Sequence, residues 1–258
     1  MNLLLLYPSD LTEGGRYVVE DGRARHLVAE RGAEPEQIVH VGLLNGPRGR
    51  ARVVSAAPER LELEPSWDPQ SAPPPRRRLL LAVPRPKVLK RLYPQLAALG
   101  VTELVLMRTW RVERSYLQAD ALTPEVYRPL LHEGMMQACF THEPVVRVEP
   151  RFMPFVERLE GGDNAWIADP RGPGALELEA RPGAGFTLAL GPDRGFLDEE
   201  VARLEQAGLQ RFSLGAGVLR LETACIAALA QLELVTRAQD GSQPSPRQAA
   251  TSLPRSAG

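Results

Sequence analysis

Between residues 190 and 224 the chain sets two glycine-bearing turns, each directly behind a short apolar run and one helix apart. Phe186, Leu188 and Leu190 alternate with smaller residues as a strand does, and Gly191-Pro192-Asp193-Arg194-Gly195 then breaks the run. A helix follows, with Asp198 as its expected cap, Glu199 and Glu200 in the first turn, and Leu197, Val201 and Leu204 at helical spacing as far as Gly208. Phe212 and Leu214 repeat the scheme into Gly215-Ala216-Gly217. Glu222 and Thr223 then open a last helix, expected to run about three turns. Glycines at strand ends let a ligand reach the main chain, and open α/β sheets hold their ligands outside such ends. Spacing alone does not separate this layout from ordinary strand-to-helix connections. No Walker lysine is present, and the third glycine of a dinucleotide fingerprint is missing.

Before this region the chain changes rhythm at Pro73-Pro74-Pro75. The first part holds strand-like runs at Leu3 to Tyr7, Tyr17 to Val19, Ile38 to Leu44, Ala51 to Ala56 and Leu61 to Glu64. Short strands at even spacing predict a small β-barrel, with Arg23 to Arg31 as a helix ended by Gly32. The second part alternates apolar runs at Leu79 to Val83, Val101 to Met107, Ala165 to Ala168, Phe186 to Leu190 and Phe212 to Leu214 with helical stretches. That alternation predicts an α/β fold with a largely parallel sheet. Pro94 and Pro129 fall inside helical patterns and are expected to kink them. The expected division is a barrel over 1–72, a linker over 73–78, an α/β domain over 79–238 and a disordered tail over 239–258, which has nothing to bury.

The chain carries no apolar run long enough to span a bilayer and no secretory signal pattern, which points to the cytoplasm. Cys139 and Cys225 are the only cysteines and the four histidines do not cluster, so neither a disulfide framework nor a metal site is expected. A net charge of −1 argues against a general nucleic-acid coat, yet Arg76 to Arg114 hold ten Lys or Arg against Glu103 and Glu113. One basic face turned to phosphate fits that imbalance, and so does an uneven solvated surface.

Leu190-Gly191-Pro192-Asp193-Arg194-Gly195-Phe196, followed by Leu214-Gly215-Ala216-Gly217-Val218-Leu219-Arg220-Leu221-Glu222-Thr223-Ala224, resembles the paired GPEGG(F/W) and LGxxILRxETA signature of the RsmE family. Those enzymes are ribosomal RNA small-subunit uridine-N3 methyltransferases of the SPOUT superfamily. Arg25-His26-Leu27-Val28, Leu96 to Val101 and Arg111 to Ser115 are similar to further family segments, so the resemblance covers most of the first 235 residues. The chain departs from the family at Asp193-Arg194, where Glu-Gly is commoner, and at Met136 to His142, which lacks the arginine of the family's EQ(S/G)xR.

The resemblance implies a PUA-like barrel before a SPOUT domain with a trefoil knot, a homodimer, and S-adenosyl-L-methionine as cofactor. It places the cofactor on Leu190, Gly191, Pro192, Asp193, Gly195, Leu214, Gly215, Gly217, Val218, Leu219, Thr223 and Ala224. For removal of the uridine proton, Asp193, Glu222 and Glu113 are open as bases, and Arg114 or Arg220 could instead stabilise the uracil anion. Glu222 has capping of the last helix as its alternative role. Arg25, His26, Arg85, Lys87, Lys90 and Arg111 are the leading contacts to ribosomal RNA or the small ribosomal subunit. Ile226, Leu229, Leu232 and Val235 form a helix stripe that suits either a subunit contact or the core. The competing function is an RNA-binding or ribosome-assembly protein that kept the fold and altered or lost methyl transfer.

Overall fold

The structure is a computed structural model that describes residues 2–68, 74–181 and 183–238. Pro73 of the expected linker and the expected tail lie outside the described residues. Five strands come first: β1 (Leu4–Leu6), β2 (Tyr17–Val19), β3 (Ile38–Leu43), β4 (Arg48–Ala57) and β5 (Arg60–Trp67). They pair in the order β1-β3-β4-β5-β2, with β1 parallel to β3 and the other pairs antiparallel. A short helix, α1 (Gly22–Arg25), starts where the Asp21 carboxylate accepts the Arg23 amide, and runs on through a π-type turn at His26–Glu30. Gly32, at φ +64°, takes the left-handed step after this turn. Period-two alternation turns Leu4, Leu6, Tyr17, Val19, Val41, Val53, Leu61 and Leu63 into one buried cluster with Leu27.

β1 also ties the two halves together. Leu3 and Leu5, on the opposite face, are buried in the core of the second half. The main-chain amides of Asn2 and Leu3 donate to the Met136 carbonyl at 3.2 and 3.1 Å.

The second half is a six-stranded sheet, every ladder parallel: β6 (Arg77–Ala82), β7 (Glu103–Met107), β8 (Val145–Glu149), β9 (Ala165–Ala168), β10 (Phe186–Leu190) and β11 (Gln210–Phe212), in the order β11-β9-β10-β6-β7-β8. Helices cover both faces: α2 (Pro86–Ala98), α3 (Pro124–Ala138) and α6 (Leu221–Ala238) pack on one, α4 (Phe152–Val156) and α5 (Asp198–Gln206) on the other. The central strands β6, β7 and β10 are buried on both sides, and for that reason read as near-continuous apolar runs.

Several boundaries differ from the sequence reading. β6 takes in Arg77 and Arg78, expected in the linker, because Arg77 is buried and its guanidinium reaches Glu233 at 2.6 Å. The strand Val145–Glu149 was not anticipated: it is an edge strand with Val145 and Val148 exposed and Arg147 between them, so it lacks a buried run. β11 stops at Phe212 instead of reaching Leu214. The last helix has 18 residues, about five turns instead of three. Pro94 and Pro129 each sit within a continuous helix. Tight packing supports this: Gly134 of α3 comes so close to Pro94 that a Cβ there would lie 2.0 Å from the Pro94 carbonyl oxygen.

Candidate functional site

Parallel pairing brings the carboxyl ends of all six strands of the large sheet to one edge. From β6 the chain moves to β7 and β8 in one direction, whereas β10 leads past β9 to β11 in the other. The adjacent strands β6 and β10 therefore form the switch point at which connections part to opposite faces and leave a crevice. Arg85 and Lys87 follow β6 there, and Gly191 to Gly195 follow β10.

Gly191 is buried, and a side chain on it would come within 2.8 Å of the Phe196 amide. Gly195 holds φ +67°, with open space where a Cβ would stand, and its amide donates to the Pro192 carbonyl at 2.7 Å. The Asp193-Arg194 pair carries no backbone strain, since Gly195 alone supplies the left-handed step of this turn. The Arg111 guanidinium bonds the carbonyls of Arg194 and Gly195, the latter at 3.2 Å, so the loop after β7 is tied to the loop after β10.

A second tie runs through a buried acid. One oxygen of Glu200 accepts the Leu197 amide at 2.8 Å and the other accepts the Trp110 amide at 2.8 Å. Asp198 is thus not the cap of α5: Leu197 occupies the cap position, Glu200 reaches back to its amide, and Asp198 turns outward to Arg171 at 2.6 Å.

The loop after β11 is the most open part of this edge. Gly215 holds φ +125°, and neither it nor Gly217 has any atom within 4 Å of an added Cβ. Every residue from Gly215 to Arg220 is exposed. The β9–β10 connection leans on its start: a Cβ on Gly172 would stand 2.6 Å from the Phe212 Cα, and the Ser213 amide donates to the Pro173 carbonyl at 2.7 Å. Leu190 is buried and Leu214 half-buried against the core, whereas Val218 is 97% and Leu219 38% exposed. Thr223 is exposed and Ala224 half-buried on the first turn of α6.

Charge is distributed unevenly about this edge. Among the described residues Arg85, Lys87, Arg108, Arg111, Arg114, Arg151, Arg194 and Arg220 have no carboxylate partner, although most arginines elsewhere do. Glu222 sits in the first turn of α6, its oxygen 2.5 Å from Arg91. Its own backbone amide, helped by Arg91, holds the carboxyl below the usual range.

Other expected contacts are engaged or distant from the switch point. Lys90 pairs with Asp120 at 2.8 Å. Arg25 pairs with Glu59 at 2.9 Å and His26 Nδ1 lies 2.6 Å from Glu30, both in the small-sheet half. The stripe on α6 divides: Leu229, Leu232 and Val235 are buried in the subunit's own core, while Ile226 faces outward at 39% exposure, as does Leu234, outside the stripe, at 61%. Sequence reasoning passed over Glu200, Gly172 and Trp110. First-turn placement of an acid was the only advance sign for Glu200. Among the described residues no group of three or more His, Cys, Asp or Glu is placed to hold a metal, and no helix is long and apolar enough to cross a membrane.

Residues 72–233 match the family model described as an RNA methyltransferase domain. The chain is 27% identical over 244 residues to ribosomal RNA small subunit methyltransferase E of Treponema pallidum, covering 89% of this chain and 90% of that protein. It is 25% identical over 153 residues to ribosomal RNA small subunit methyltransferase E 1 of Borreliella burgdorferi, covering 58% of this chain and 63% of the relative. Its fold matches the crystal structure of a ribosomal RNA small subunit methyltransferase E from Neisseria gonorrhoeae bound to S-adenosyl methionine, with a TM-score of 0.72 at 20% identity over 90% of this chain and 98% of the other. A glycine-lined switch point within that fold, and a family match over more than half of the sequence, lead to one assignment: the chain belongs to the RNA methyltransferase domain family.

Proposed function

We propose that the protein transfers a methyl group from S-adenosyl-L-methionine to ring N3 of a uridine in small-subunit ribosomal RNA, acting as a homodimer. The observation that carries this reading is the coincidence at one sheet edge of glycine turns that are bare at Gly195, Gly215 and Gly217 with basic side chains that have no carboxylate partner among the described residues. Relatives named as ribosomal RNA small subunit methyltransferase E along most of the chain support the substrate class.

The residues present fit the cofactor. At Gly195, Gly215 and Gly217 the main chain is bare where any other residue would place a Cβ, so a flat heterocycle and its ribose can lie against peptide groups. Leu190, Gly191, Pro192, Asp193 and Gly195 would form one wall, and Leu214, Gly215, Gly217, Val218, Leu219, Thr223 and Ala224 the other. When bound, S-adenosylmethionine supplies a methyl group already activated on a sulfonium, so the protein's task is mainly alignment.

Uridine N3 becomes nucleophilic once its imide proton leaves. Arg114 and Arg220 are both exposed, and either guanidinium would stabilise the resulting anion. Glu222 is a poor base, because its carboxyl is held low by its own amide and by Arg91. Its role is to fix the start of α6. In the dimer, outward Ile226 and Leu234, with Val218, supply the apolar contact that the buried half of the stripe does not. The small sheet serves as the PUA-like RNA-binding unit. A trefoil knot is supported by the way the β9–β10 connection, at Gly172 and at the Ala175–Glu177 turn, lies against Phe212 and α6.

Tritium transfer from labelled S-adenosylmethionine to small-subunit particles from a strain lacking the enzyme tests the reading. N3-methyluridine in the digested RNA is the expected product. RNA binding without label would instead favour an assembly protein that has lost turnover.

A further inference from the structure

Trp110 stands on the loop after β7 with 51% of its surface exposed, one residue from the arginine that clamps the turn after β10. Its position is fixed from two sides. Its amide is bonded to Glu200, which is fully buried, and its ring leans on the buried Phe152 with centroids 5.7 Å apart at 51°. About half of the indole, held on one side by Phe152, is thus left open to water.

The surroundings state what kind of partner suits it. Arg108, Arg111 and Arg114 share its loop, Arg151 precedes Phe152, and Arg194 is joined through Arg111; none of the five has a carboxylate partner among the described residues. Guanidiniums whose charge no carboxylate answers suit phosphates, and an exposed aromatic among them suits a nucleobase face. In single-stranded or looped RNA the bases can be splayed out and stacked on such a ring.

We propose that Trp110 is a stacking platform for an unpaired base of the substrate RNA next to the methylated uridine, and so a substrate-positioning residue. The inference rests on the RNA methyltransferase reading above. It commits to a single-stranded segment, because a base still paired in a duplex has no free face to offer.

The test uses the full chain with S-adenosylhomocysteine and a fluorescent single-stranded RNA carrying the substrate loop. Trp110→Ala should weaken RNA binding roughly tenfold. The slope of affinity against salt and the affinity for S-adenosylhomocysteine should stay the same, since neither a charge nor the cofactor turns are touched. Trp110→Phe keeps a ring and should restore most of the affinity. Unchanged RNA affinity in Trp110→Ala would overturn the platform, as would a loss that Phe fails to restore, or one accompanied by loss of cofactor affinity or a change in oligomeric mass. A wild-type chain that binds neither S-adenosylhomocysteine nor RNA would sink the methyltransferase reading and the platform with it. Normal methyl transfer by wild type with no effect of Trp110→Ala would sink the platform alone.

Discussion

The amide of Trp110 and the buried carboxylate of Glu200 are joined at 2.8 Å, linking the loop after β7 to the first turn of α5. Because the same carboxylate also accepts the Leu197 amide, one side chain positions both borders of the crevice beside β10. Glu200→Ala leaves two amides without their acceptor, at about 1–3 kcal/mol for each that stays buried. Urea unfolding should therefore register a loss in that range. Calorimetry should find weaker S-adenosylhomocysteine binding in the same variant. Intact cofactor affinity would mean that the Gly191 to Gly195 turn holds its shape without this tie.

Gly134 and Pro94 define the closest approach of α2 and α3. An added Cβ 2.0 Å from a carbonyl oxygen cannot be absorbed by a side-chain rotation, so Gly134→Ala must push the helices apart. Overpacking of this kind costs about 1–3 kcal/mol, and the melting temperature should fall by roughly 2–4 °C for each kcal/mol. Differential scanning calorimetry checks this, and a melting point equal to that of wild type would contradict the close contact.

Gly217→Val separates the proposed cofactor site from the fold. Because nothing lies within 4 Å of an added Cβ at Gly217, the change leaves the melting temperature where it was. A branched side chain would project from the open face of the turn and remove S-adenosylhomocysteine binding. Undiminished binding would place the cofactor elsewhere.

The strand content was legible because central strands buried on both faces must be apolar throughout, as in Leu79 to Ala82 and Phe186 to Leu190. The glycine turns were legible for a related reason: Gly195 and Gly215 adopt backbone angles that few other residues tolerate. Edge strand β8 was not, because only its ladder to β7 and not its own burial makes it a strand. Nor was the division of α6 into an inward Leu229, Leu232 and Val235 and an outward Ile226 and Leu234, since both sets are apolar and only tertiary packing tells them apart. Glu200 and Trp110 were missed on the same ground. Their partnership spans 90 residues of sequence and no local pattern encodes it.

His132 gives the fold a dependence on pH. Its Nε2 lies 3.1 Å from Glu143 and its Nδ1 2.9 Å from the Tyr7 hydroxyl, so the neutral ring donates to the carboxylate and accepts from the phenol. Burial holds its pKa below the ordinary value despite the pull of Glu143. Between that lowered value and about 6.5 the unfolded chain binds the extra proton. Stability from this site is therefore complete above about pH 6.5 and falls as the pH drops below it. Urea unfolding from pH 8 to pH 5 should follow this trend, and His132→Gln should flatten it. An identical slope in the variant would assign the proton uptake to other groups.

Arg85 and Lys87 bracket the start of α2, whose first turn contains no acid. Cations there oppose the positive end of the helix dipole, and neither has a carboxylate partner among the described residues to offset the cost. An arriving phosphate would relieve both effects. Lys90 differs, being paired with Asp120 at 2.8 Å, so its charge is already answered at the surface. Arg85→Glu and Lys87→Glu should each weaken RNA binding and flatten the logarithmic salt slope, by roughly 0.7–0.9 for every phosphate that is no longer neutralised. Lys90→Glu should do distinctly less, and cofactor affinity should hold in all three variants. Equal salt slopes for all three and for wild type would show that the start of α2 does not meet the RNA backbone.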